Sequence, residues 1–184
     1  MATYKGNEIV VTPGPQGPRG RFFEGIISGT PKPGTMMQLK AATEPIQGAF
    51  TYEVVNRTNS GQRGPTIVLL PDSMQGKLAT SAYADGDRGF FYMPANGDEL
   101  NMLVSAANGA LAIGDQLMVE DDTGLLLKQT ALVTDYATPG LDTEAELIVA
   151  INLLKNRPQA APFVVQATCA DPSAATLVRC LFGQ

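Results

Sequence analysis

Phe50-Thr51-Tyr52-Glu53-Val54 alternates large apolar side chains with polar ones. Successive residues of an extended chain point to opposite faces, so Phe, Tyr and Val share one face and Thr and Glu take the other, the pattern of a half-buried strand. Runs of similar length recur on both sides: EIVVT (8–12), RFFEGIIS (21–28), TMMQLKA (35–41), TIVLL (66–70), GFFYMP (89–94) and LNMLVS (100–105). They continue as QLMVED (116–121), LLLKQT (125–130), ELIVAINLL (146–154), FVVQATC (163–169) and TLVRCLF (176–182). All are rich in β-branched or aromatic residues. The 19 glycines and 13 prolines between them are the punctuation of a chain with many turns. The expected fold is all-β, mainly antiparallel and barrel-like, with little helix.

Two runs admit more than one reading. TIVLL is apolar throughout, which suits a strand buried on both faces or one at an interface between subunits, and Ile67, Val68, Leu69 and Leu70 are the candidate oligomer contacts. DTEAELIVAINLLK (142–155) offers Asp142 or Thr143 as a helix cap, but its Ile-Val-Ala-Ile centre favours a strand with a short helical lead-in. RTNSGQRG (57–64) reads as a polar hairpin tip, and EDDTG (120–124) as a turn with Gly124 at a left-handed position.

At 184 residues, with 44% hydrophobic and 17% charged residues, the chain has the size and composition of one folded domain. Its net charge of −5 argues against a nucleic-acid partner, which calls for a basic face. No apolar run reaches membrane-spanning length, and MATYKGNEIV lacks the pattern of a secretory signal. The expectation is a soluble protein of its producer's cytoplasm, with neither membrane nor nucleic acid as partner.

The side chains needed for catalysis are sparse. Histidine is absent, which removes the commonest general base and transition-metal ligand. Cys169 and Cys180 lack metal-site spacing and read as small buried hydrophobes, with a cross-strand disulfide as the alternative. Glu120, Asp121 and Asp122 supply the oxygens that calcium takes, but adjacent strand residues point apart, and a solvated turn is the simpler reading. Asp85, Asp87 and Arg88 similarly read as a turn with a solvated ion pair. A hydrolase using Glu99 with Asp98 or Asp115 lacks any device holding the second acid opposite the first. No catalytic residue, metal or cofactor is expected, and the chain reads as a non-enzyme.

One stretch has no counterpart among the strands. In TPGPQGPRGRFF (12–23), Gly14-Pro15-Gln16 and Gly17-Pro18-Arg19 form two consecutive Gly-X-Y triplets closed by Gly20. A collagen helix needs many triplets to offset the ordering of three chains, so two leave only a proline-stiffened segment. Residues 1–24 are therefore expected to form an extended arm, either a loose tail or a partner-binding strap, and residues 25–184 a single β-rich domain. As a strap, the arm would lose little entropy on docking, pair Arg19 and Arg21 with acids, and anchor its root through Phe22 and Phe23.

From residue 32 onward, PKPGTMMQLKA (31–41), LPDSMQGKLATSAYADGDRGFFYMPANGDELNMLV (70–104) and AIGDQLMVEDDTGLLLKQ (112–129) follow one order of features. Pro33-Gly34 precedes an early strand and Gly86-Asp87-Arg88 enters an aromatic one. Pro94 with Gly97-Asp98-Glu99 precedes an apolar strand, and Gly114-Asp115 with Leu117 leads to the turn at Gly124. This series resembles the head decoration, or cement, proteins of tailed bacteriophages and their β-tulip domain, over roughly half the chain. The resemblance implies a virion protein assembled in the host bacterial cytoplasm that binds the outside of the mature head. It would clamp neighbouring major capsid protein subunits, usually as a homotrimer and sometimes as a dimer. Pro13, Pro15, Pro18, Arg19, Arg21 and Phe22 would then be capsid contacts. A virion-borne carbohydrate-binding or host-adhesion module is the alternative, with Tyr52, Phe91 and Tyr92 as an exposed stacking platform.

Overall fold

The structure, a computed structural model, describes residues 9–11, 20–40, 49–55, 67–120, 123–129, 163–170, 172 and 176–183. Eleven strands follow in chain order: β1 (Val10–Val11), β2 (Arg21–Ile27), β3 (Met36–Leu39), β4 (Thr51–Val54), β5 (Ile67–Leu69) and β6 (Arg88–Met93), then β7 (Glu99–Leu103), β8 (Gln116–Val119), β9 (Leu126–Lys128), β10 (Phe163–Val165) and β11 (Leu177–Phe182). Two 3-10 turns, Ser73–Gln75 and Ala106–Asn108, are the helical elements among the described residues. The chain is thus all-β, as expected. The runs 57–64 and 142–155 lie outside the described residues.

Five strands close a barrel in the order β2-β4-β3-β5-β6, and the other six form a sheet in the order β1-β7-β11-β10-β8-β9. The strand pairings are antiparallel except β2 with β4, where Ile26 and Ile27 lie beside Thr51 and Tyr52. A five-stranded barrel has room for few side chains. Gly25 and Gly89 face each other across β2 and β6. A Cβ on Gly25 would lie 2.5 Å from the Tyr52 ring, and one on Gly89 would lie 2.5 Å from Ile27. Missing side chains at these two positions therefore admit the large ones that fill the barrel. The six-stranded sheet curls until Leu126 of β9 bridges Val104, the residue after β7.

Burial divides into two clusters. Ile27, Met37, Tyr52, Ile67, Leu69, Tyr83 and Phe91 fill the barrel. Met36, Val68 and Tyr92 leave the barrel's outer surface and join Leu100, Met102, Phe163 and Val165 of the curled sheet. β5 is therefore the wall between two cores, which explains why Ile67-Val68-Leu69-Leu70 has no polar face. Ile67 (2% exposed), Val68 (0%), Leu69 (0%) and Leu70 (8%) are buried within their own chain. Of the two readings of this run, burial on both faces accounts for its composition.

β4 departs from simple alternation. Phe50 and Tyr52 share a face, but Phe50 stands at the open end of the barrel and stays 52% exposed. Thr51, on the opposite face, is buried at 7% exposure, because that face is covered too. Glu53 is half-buried and accepts a hydrogen bond from Gln38 Nε2 at 3.1 Å.

Both described parts of the expected N-terminal arm belong to paired strands. Val10 and Val11 pair with Leu100 and Glu99 of β7, and Ile9 is 1% exposed within the sheet's core. Arg21–Glu24 already belong to β2, paired with β6 from Met93 to Phe90. The Pro/Gly-rich residues 12–19 lie outside the described residues, but they connect two strands that are each built into the folded body.

One local device recurs. In Ala84–Asp87, Ala95–Asp98 and Ala112–Asp115, the Asp N–H donates to the Ala carbonyl at 3.0–3.1 Å, and the Ala N–H donates back to the Asp carboxylate at 2.8 Å. The glycine before each Asp has φ of +85° to +91°, a conformation that costs a side-chain-bearing residue about 1–2 kcal/mol. These locked turns launch β6, β7 and β8. Each Asp also reaches a distant side chain: Asp87 to Lys77 at 3.1 Å, Asp98 to Tyr92 at 2.5 Å and Asp115 to Lys128 at 2.8 Å.

Candidate functional site

The point where the proline-rich stretch enters the barrel is built with particular care. The Gly20 N–H donates to the Tyr92 hydroxyl at 2.8 Å, and that hydroxyl donates to Asp98 Oδ2 at 2.5 Å. The Ala95 N–H donates to the same oxygen at 2.8 Å. A Cβ on Gly20 would lie 2.1 Å from the Met93 carbonyl oxygen and 2.5 Å from the Tyr92 ring, so only glycine permits this approach. Phe22, 56% exposed, lies on Tyr92 with ring centroids 4.7 Å apart.

Burial, and secondarily the bond to Asp98, raises the Tyr92 pKa above its ordinary value, against an opposing pull from the Gly20 N–H. The hydroxyl is thus held as a proton donor at neutral pH. This is the chemistry of a latch, since a general base would have to release that proton.

A second feature lies at the same end of the barrel. Phe23, Leu39, Phe50, Tyr52, Ile67 and Met93 line an open hollow of about 270 Å³. Every barrel strand contributes one of these residues, and Phe50 immediately precedes β4. Its floor is aromatic: Tyr52 and Phe91 are 4.6 Å apart, and Phe23 is 5.6 Å from each. The opposite end is plugged by Tyr83, 1% exposed, whose N–H donates to the Pro31 carbonyl at 2.9 Å and whose hydroxyl donates to that of Leu70 at 2.8 Å. The hollow was not legible in the sequence, because its lining comes from the ends of five separate runs.

Of the arm residues, Arg21 and Phe22 are exposed on β2 beside this mouth, whereas Pro13, Pro15, Pro18 and Arg19 lie outside the described residues. Tyr52 (8% exposed), Phe91 (0%) and Tyr92 (0%) are core, which removes the exposed stacking platform. Asp98 serves the latch, Glu99 pairs with Arg179 at 2.7 Å, and Asp115 pairs with Lys128. These carboxylates are committed to different partners. Glu120 is likewise engaged in its turn, accepting from Thr123 Oγ1 at 2.7 Å, while Asp121 and Asp122 lie outside the described residues. Asp87 takes Lys77 as an ion-pair partner at 3.1 Å. Both cysteines are free thiols, Cys180 buried and Cys169 partly so.

The sequence matches no protein-family model and no curated protein. Among solved structures, the chain is similar to the N base of head fiber gp8.5 of bacteriophage phi29, with a TM-score of 0.47 and 7% identity over 89% of this chain and 94% of that one. A likeness of this looseness bears on neither partner nor role.

Proposed function

We propose that this chain is a non-enzymatic structural protein of a phage virion that binds the outside of the mature capsid and clamps neighbouring major capsid protein subunits, stabilising the DNA-filled head. The observation that carries the reading is the placement of the cement-like series. Gly34 leads into β3, Gly86-Asp87-Arg88 into β6, Gly97-Asp98-Glu99 into β7 and Gly114-Asp115 into β8. Elements resembling those of decoration proteins in sequence thus also organise this fold.

In this reading, residues 12–19 act as a tethered strap instead of a free tail. Pro13, Pro15, Pro18 and Arg19 make capsid contacts, Arg21 and Phe22 extend them at the root, and the Gly20–Tyr92–Asp98 latch holds that root. A segment secured at both ends loses less entropy on docking than a free one. Symmetric association, as a homotrimer with a dimer as the alternative, would add avidity to weak single contacts.

The test is co-sedimentation with expanded heads that lack the protein, together with native mass. Residues 12–19 are replaced by a Gly/Ser linker of equal length, because truncation at Gly20 would also remove Ile9 and β1 from the core. The full chain is expected to sediment with heads and the linker variant to stay in solution at unchanged native mass. A full chain that ignores heads overturns the proposal.

A further inference from the structure

We propose that the open mouth of the five-stranded barrel is a socket for a single aromatic or branched aliphatic side chain of a partner polypeptide, presented next to an acidic residue. The two ends of the barrel differ. One end is sealed by Tyr83, whereas the other leaves Phe50 52% and Leu39 43% exposed around an aromatic floor. Apolar area facing water forgoes the transfer free energy that covering it would return. At about 270 Å³ the hollow falls below the roughly 300–1,000 Å³ of sites for drug-sized molecules and is better matched to one inserted side chain. Insertion of one such side chain into a desolvated pocket is the usual form of an interface hot spot.

Charge specifies the neighbour. Strand alternation places Arg21 on the same face of β2 as Phe23, one step further out, so it stands on the rim of the hollow. Arg21 is exposed and has no ion-pair partner among the described residues. By the same alternation Glu24 and Glu53 fall on the outer faces of their strands, so no carboxylate of the described barrel strands shares the face of the rim cation. Tyr52, which lines the hollow and is 8% exposed, has no hydrogen-bond partner for its hydroxyl among the described residues. An apolar group beside a carboxylate meets all three features: the apolar wall, the cation and the spare hydroxyl. Arg21 is shared with the proposed capsid contacts, whereas the apolar socket belongs to the barrel alone.

The test uses the full chain with its Ile and Met methyl groups labelled for NMR, titrated with acetyl-Asp-Phe-Asp-amide. The Lys-Phe-Lys and Asp-Ala-Asp analogues and octanoate serve as comparison probes. The Asp-Phe-Asp peptide is expected to shift the Ile67 and Met93 methyl signals and to bind most tightly of the four. Arg21→Glu is expected to weaken it by about tenfold and to reverse the preference between acidic and basic peptides. Leu39→Asp, at an exposed rim position, is expected to abolish the shifts while the remaining signals stay in place. Equal shifts with Asp-Ala-Asp, tighter binding of octanoate, or methyl signals that no peptide moves would each overturn the proposal. Head co-sedimentation is a separate readout, so either idea can fail while the other survives.

Discussion

The hydroxyl of Tyr92 donates a 2.5 Å hydrogen bond to the carboxylate of Asp98, six residues along the chain and at the far side of a locked turn. Tyr92 packs from the outer face of β6 into the core of the curled sheet, and Asp98 launches β7, so the bond spans the junction between barrel and curled sheet. The Gly20 N–H completes it by giving the hydroxyl a donor of its own.

Tyr92→Phe keeps the ring but leaves a buried carboxylate and a backbone N–H short of a partner. Such loss costs about 1–3 kcal/mol. We expect a lower denaturation midpoint in urea with an unchanged slope, and faster hydrogen exchange at the Gly20 amide. Unchanged exchange there would show that the latch does not hold the root of residues 12–19.

Thr51→Val is expected to act in the opposite direction. The Thr51 Oγ1 is buried and has no hydrogen-bond partner among the described residues. Replacing it with a methyl of similar shape removes the desolvation cost of an unpaired hydroxyl, so stability should rise by about 1 kcal/mol. Urea denaturation of the two proteins side by side measures it.

Acid should loosen the locked turns. The Ala84 N–H, and then Lys77, hold the Asp87 carboxyl below its ordinary pKa of 3.8. Lys128, and then the Ala112 N–H, do the same for Asp115. A folded-state pKa below the unfolded value means that the unfolded chain binds more protons as pH falls. This contribution is therefore complete well above pH 3.8 and is lost as pH drops through that value and below. Melting temperatures followed from pH 7 to pH 3 should fall less steeply for Asp115→Asn than for the parent chain, starting from a lower value at neutral pH.

The two thiols should differ in reactivity. Burial pushes the Cys180 thiol up to about 12, so almost no thiolate exists at pH 8. Its sulfur instead lies 3.5 Å from the Val178 carbonyl, to which it donates. Thiolate is the reactive form, so a disulfide-exchange reagent should label partly exposed Cys169 first and reach Cys180 only on unfolding. Two equally fast thiols in the native protein would contradict this.

Much of the fold is written locally. Glycine next to aspartate marks a turn because positive φ favours glycine and because a carboxylate three residues on returns to the opening N–H. The strand runs follow from side-chain periodicity, and the described strands lie within or across the expected ones. Cys180 also reads correctly as a buried small hydrophobe, since its neighbours Leu177, Val178 and Leu181 are apolar.

What the sequence by itself determined was the class of fold, the position of each described strand and the turns that launch them, all set by interactions a few residues long. Only the tertiary structure decided which face each strand keeps dry. TIVLL is apolar because β5 separates two cores, and Phe50 stays exposed because the barrel mouth opens beside it. Residues 12–19 connect two strands of the folded body because β1 finds its partner in β7, some ninety residues along the chain. Pairings over such separations depend on loop closure and on the surfaces that meet, and no local pattern encodes them.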